Sequence, residues 1–76
     1  MVDQQLLPSS DVWLRSLFGA ATALRGGVVR RKVRDAERIM GRDAFEAEIR
    51  RRGFRAIQNG DHYVVFCNRE PLRLIE

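Results

Sequence analysis

Phe54-Arg55-Ala56-Ile57-Gln58-Asn59-Gly60-Asp61-His62-Tyr63-Val64-Val65-Phe66-Cys67 is the stretch that decides the fold. Two runs rich in aromatic and β-branched residues flank an Asn-Gly pair, and the period of each run is two. Asn-Gly between such runs is a strong hairpin signal, because both central positions of a type I′ turn need positive φ. With Asn59-Gly60 as the turn, Gln58 is expected opposite Asp61, Ile57 opposite His62, Ala56 opposite Tyr63 and Arg55 opposite Val64. Downstream, Asn68-Arg69-Glu70-Pro71 reads as a second turn and Leu72 to Ile75 as a third strand. Cys67 would then face Leu72, and Phe66 would face Arg73.

Upstream the period becomes helical. Ser9 or Ser10 offers an N-cap and Asp11 a first-turn carboxylate, opening a helix to about Arg25. Its apolar arc (Val12, Trp13, Leu14, Leu17, Phe18, Ala20, Ala21, Leu24) is unusually wide. Gly26-Gly27 ends it. A second helix is expected from Val28 to Met40, since Val29, Val33, Ala36 and Met40 recur at one-face spacing. That helix would gather Arg30, Arg31, Arg34 and Arg38 on a neighbouring arc. Asp43-Ala44-Phe45-Glu46 has the spacing of a capping box for a third helix ending at Arg52, with Gly53 as its cap. Within it, Glu46 and Glu48 stand four residues before Arg50 and Arg52, the favourable order for ion pairs. The expected fold is α+β. Two or three N-terminal helices pack on a three-stranded antiparallel β-meander whose central strand contains Tyr63. Residues 1–8 read as a flexible lead, and 9–76 as one domain.

Strand alternation assigns Phe54, Ala56, Tyr63, Val65, Cys67, Leu72 and Leu74 to the core face. Ile57, Val64, Phe66 and Ile75 fall on the other face, among Arg55, His62 and Arg73. A single-layer sheet ordinarily turns a polar face to water. Three readings account for the apolar second face. It is a protein interface, it is covered by the wide apolar arc of the first helix, or it stacks nucleic-acid bases on Phe66 between arginines.

The chain has 76 residues, enough for one core. A domain of this size buries only ~60% of the surface its unfolded chain exposes, which leaves self-association as an open route to extra stability. Cys67 is the one cysteine and His62 the one histidine. No internal disulfide is possible, and a lone thiol suits a reducing cytosol. His62 and Cys67, five apart on a strand, point to opposite faces and do not share a metal. The apolar stretch Val12 to Leu24 is too short to span a bilayer and is broken by Arg15.

Fourteen Lys and Arg against ten Asp and Glu give a net charge of +4. The excess is regional: residues 28–55 hold ten bases and five acids, a balance of +5. That is an electrostatic footprint, although thirteen of the fourteen bases are arginine, as a GC-rich genome would also produce. No phosphate-binding glycine motif, metal-ligand cluster, cofactor signature or nucleophile–base pair stands at a diagnostic spacing. The expected function is a small cytoplasmic, non-enzymatic binding module, self-associating as a homodimer or docking another protein. Its interface residues would be Trp13, Leu17 and Leu24 on the first helix and Val64, Phe66 and Ile75 on the sheet. The alternative is a nucleic-acid binder using Arg30, Arg31, Arg34, Arg38, Arg55, Phe66 and Arg73.

Glu48-Ile49-Arg50-Arg51-Arg52-Gly53-Phe54, then a strand, Gly60-Asp61-His62 and a further strand resemble the HicA-type RNA-cleaving toxins over residues 46–75. The resemblance implies a double-stranded-RNA-binding-like fold, with His62 matching the histidine that acts on RNA. Asp61 stands where that family has serine, and no chain remains for the helix that follows the family's sheet.

Overall fold

The computed structural model describes residues 9–76; the expected flexible lead, 1–8, lies outside them. Chain order is α1 (Ser10–Phe18), α2 (Ala21–Leu24), β1 (Val28–Lys32), α3 (Val33–Ile39), α4 (Arg42–Arg52), β2 (Arg55–Asn59) and β3 (His62–Phe66). The fold is α+β with a three-stranded antiparallel sheet, and the strand containing Tyr63 is central, as the sequence predicts. The sheet order is β1-β3-β2.

The third strand is not the one expected. Leu72 to Ile75 forms no strand, and the pairings of Cys67 with Leu72 and Phe66 with Arg73 do not occur. A strand has two edges, and β3 gives one to β2 and the other to β1. Val28–Lys32, expected as the first turn and a half of a helix, is that partner, with Val29 opposite Val65 and Arg31 opposite Tyr63. Two β-branched residues directly after Gly26-Gly27 favour the extended state. Gly26 takes the left-handed φ of +78° that turns the chain out of α2 and into β1. The helical spacing misleads because Val29, Val33 and Ala36 are indeed all buried, Val29 from a strand and the other two from α3.

The hairpin is displaced too. Asn59 pairs with His62 and Ala56 with Val65, so the loop is Gly60-Asp61. Among the described residues none but glycine has positive φ, whereas a type I′ turn would require it at Asn59. Glycine first and aspartate second, with Gly60 at φ +62°, suits a type II′ turn instead. The register moves by two residues, which conserves the faces.

Helix boundaries follow local chemistry. The Ser9 side chain accepts from Val12 N–H at 3.2 Å and caps α1. The expected single helix to Arg25 breaks at Gly19-Ala20, and α2 is a separate turn. The capping box at Asp43 does not form: Gly41 is the N-cap of α4, and Asp43 sits in its first turn. Gly53 closes α4 in the left-handed conformation, φ +75°. Glu48 pairs with Arg52 at 2.7 Å and also with Arg51, whereas Glu46 and Arg50 do not pair with each other.

The helices lie on one face of the sheet. Phe45 and Ile49 of α4, Val33 and Ala36 of α3, and Trp13, Leu17 and Phe18 of α1 close over Val29, Tyr63, Val65 and Cys67. Phe45 is the hub, its ring centroid 5.6 Å from Trp13 and 4.8 Å from Tyr63. Full burial of side chains of this kind contributes about 1.5–3 kcal/mol each.

Candidate functional site

Three cross-strand rows build the outer sheet face: Val28–Phe66–Arg55, Arg30–Val64–Ile57 and Lys32–His62–Asn59. None of these positions is a carboxylate. Arg30 and Lys32 stand on one edge strand and Arg55 on the other, all exposed, around a centre of Val64 and Phe66. Val64 is buried by its neighbours within the face, and Val28 and Ile57 remain about half exposed.

The first helix does not cover this face. Trp13 and Leu17 are buried on the opposite side of the sheet, Trp13 against Phe45, so the reading in which α1 wraps the second face is not what the chain does. For the same reason Trp13 and Leu17 are withdrawn into this chain's own core and are not surface residues. Leu24 projects from α2 and Ile75 from the C-terminal segment, both well exposed. Phe66 is half-buried in the outer face.

The arginines expected on one helical arc are separated. Arg30 lies on the outer face, its Nη2 donating to Asn59 Oδ1 across the sheet at 3.4 Å. Arg31 lies on the inner side of β1, and its Nη1 donates to the Arg30 carbonyl at 2.7 Å. Arg34 and Arg38 are exposed on α3, and Arg73 lies in the unpaired C-terminal segment. The face therefore brings Arg30 and Arg55 together with Phe66 and leaves out Arg31. Val28, Lys32 and Asn59 join it unforeseen; the signal was Val28-Val29 after a glycine pair, outweighed by the helical spacing of Val29, Val33 and Ala36.

His62 lies at the end of the face. Its Nδ1 is 2.9 Å from Asp61 Oδ1, and Asp61 is exposed. A carboxylate on one ring nitrogen orients the imidazole and leaves Nε2 for a ligand. Among the described residues no group of three or more His, Cys, Asp or Glu side chains is placed to hold a metal ion. No described helix is long and apolar enough to cross a membrane. Cys67 is a free thiol in the core, and burial raises its pKa.

On the helical side of β2 lies a separate groove of about 430 Å³. It runs between α4 and β2, over Phe45, Ile49, Phe54 and Ala56, with Glu46 and Arg50 at its rim. It exists because the helices cover β3 and β1 but stop short of β2, whose five residues are all exposed.

Comparison with protein-family models, with curated proteins and with solved structures gives no match.

Proposed function

We propose that the chain is a small, non-enzymatic, cytoplasmic binding module whose open sheet face receives nucleic acid. The observation that carries this is the absence of any carboxylate from three rows that hold Arg30, Lys32, Arg55 and His62. A face with three fixed cations repels its own copy, so symmetric pairing through Phe66 and Val64 is disfavoured and a polyanion is the better complement. Phosphates would meet the arginine and lysine heads at the margins, and Phe66 and Ile57 would lie against sugars or bases. Arg34 and Arg38 on α3 add to the same positive field.

The test is a salt titration with labelled single- and double-stranded RNA and DNA. Three neutralised phosphates on duplex DNA give a slope of about −2.7 in log affinity against log salt, or roughly forty-fold between 50 and 200 mM. Arg30→Glu and Arg55→Glu are each expected to weaken binding and flatten that slope, with the helical circular-dichroism signal unchanged. Absence of binding at low salt, or binding indifferent to both reversals, overturns the proposal.

Half-exposed Val28 and Ile57 favour a second reading, a protein partner that covers them and meets the cations with carboxylates. Binding to an acidic protein surface with no affinity for nucleic acid would establish it. The resemblance to RNA-cleaving toxins makes a third, sharper statement: His62→Ala would abolish RNA cleavage. On the proposal made here the purified chain leaves RNA intact.

A further inference from the structure

The sheet has an open edge at β2, and the chain carries a segment suited to it. Asn59 and His62 flank a two-residue loop and form a hydrogen-bonded pair, and such pairs alternate along an antiparallel ladder. The same alternation holds on the far side of β3, where Cys67 N–H donates to the Gly27 carbonyl and Val33 N–H to that of Asp61, both at 2.9 Å. The N–H and C=O groups of Ala56 and Gln58 therefore point away from β3, unpaired among the described residues. An edge of this kind is a template for another strand. Beside it lies the groove between α4 and β2, with an apolar floor and a charged rim.

The segment Pro71–Glu76 has no secondary-structure partner. It exposes Leu72 by 45%, Leu74 by 90% and Ile75 by 76%, a short apolar run with strand-like alternation. Neither edge of β3 is free to take it. Its own β2 edge is also obstructed. The segment leaves the sheet at the end where α4 hands over to β2 through Gly53-Phe54, and connections avoid crossing at one end of a sheet. Asn68 further ties the start of the segment to the β1 side, its Nδ2 donating to the Gly26 carbonyl at 2.9 Å.

We infer that Pro71–Glu76 of one copy adds as a fourth strand to the β2 edge of a second copy, seating Leu72 and Leu74 in the groove between α4 and β2. The exchange is reciprocal, as two-fold symmetry allows. Strand parity puts Arg73 and Ile75 on the opposite face, beside Arg55 and Ile57. This gives the half-exposed Ile57 an apolar neighbour and extends the cationic face by Arg73. By the same parity Glu76 shares the groove face of Leu72 and Leu74 and complements Arg50 at its rim. Three exposed aliphatic side chains and a groove lined in part by Ile49, Phe54 and Ala56 thus account for one another.

The experiment measures the mass of the full chain by light scattering on a sizing column at micromolar concentration, without nucleic acid. Its outcome is therefore independent of the function proposed above. The wild type is expected as a dimer. Truncation after Arg69 and Gln58→Pro are each expected as monomers with unchanged helical signal. The proline removes an edge N–H that no ladder bond uses. An equimolar mixture of the two variants restores a one-strand dimer, because one supplies the tail and the other the edge. A monomeric wild type, or a dimer that persists after truncation, overturns the inference. Should Gln58→Pro fail to fold, the truncation alone decides.

Discussion

Tyr63 shows what one polar atom does inside a small core. Its ring packs 4.8 Å from Phe45, and its hydroxyl is buried with no hydrogen-bond partner among the described residues. Burial raises the phenol pKa, with the nearby Arg42 guanidinium pulling the other way. An unsatisfied buried hydroxyl costs about 1–3 kcal/mol in desolvation, so deleting it removes a penalty rather than a bond. Tyr63→Phe is expected to be neutral or stabilising by up to about 1 kcal/mol in urea unfolding. A loss of similar size would mean that the hydroxyl finds a partner in solution. Phe45 is the contrast. It is wholly buried between Trp13 and Tyr63, and its removal would leave a cavity at the hub of the helix layer.

At the scale of elements, α4 is held from both sides: Phe45 and Ile49 anchor its inner face, and Glu48 bridges Arg51 and Arg52 along its outer one. The hydrogen bond from Arg51 is the main reason the Glu48 carboxyl lies below its ordinary pKa, against the opposing effect of burial. A depressed folded-state value contributes stability that is complete above the unfolded pKa and lost as pH falls through the folded one. Glu48→Gln is therefore expected to cost about 0.5–1 kcal/mol at neutral pH and nothing at pH 2, measured as parallel urea titrations. Arg52 also reaches back over the Phe18 ring, 4.1 Å from its centroid, so part of the cost is a loosened α1–α4 contact. The elements differ in how far the sequence reveals them. The hairpin, α4 and the two sheet faces are legible because each rests on neighbours in the chain: alternation, a terminal glycine, a turn. The partner of β3 is not, because two segments compete for one edge and local pattern favours the wrong one. Leu72-Arg73-Leu74-Ile75 looks more like a strand than Val28-Val29-Arg30-Arg31-Lys32, and only the burial of Val29 against the core reverses the choice. The candidate site inherits this: Arg55 and Phe66 are readable from the hairpin, whereas Lys32 and the true neighbours of Arg30 require knowledge of which strand lies beside β3.

For the whole molecule, the decisive fact is that Val28 to Lys32 becomes a strand only through residues far along the chain. A fragment ending at Gly53 lacks β2 and β3. Its circular dichroism is expected to show helix and no strand, with Val28–Lys32 either unstructured or continuing α3 backwards. Strand signal in that fragment would show that β1 forms on its own. The same separation sets an order of events during synthesis. His62 is translated roughly 2–6 s after Lys32 at ordinary rates of about 5–20 residues per second. Throughout that interval the nascent segment has no strand to pair with, and Val28–Lys32 is expected to stay unstructured or to continue α3 backwards. Arrival of β3 is then expected to draw the segment into the sheet, with the left-handed Gly26 as the swivel. A codon change that slows translation between Gly53 and Cys67 would lengthen this waiting period without altering one atom of the finished protein.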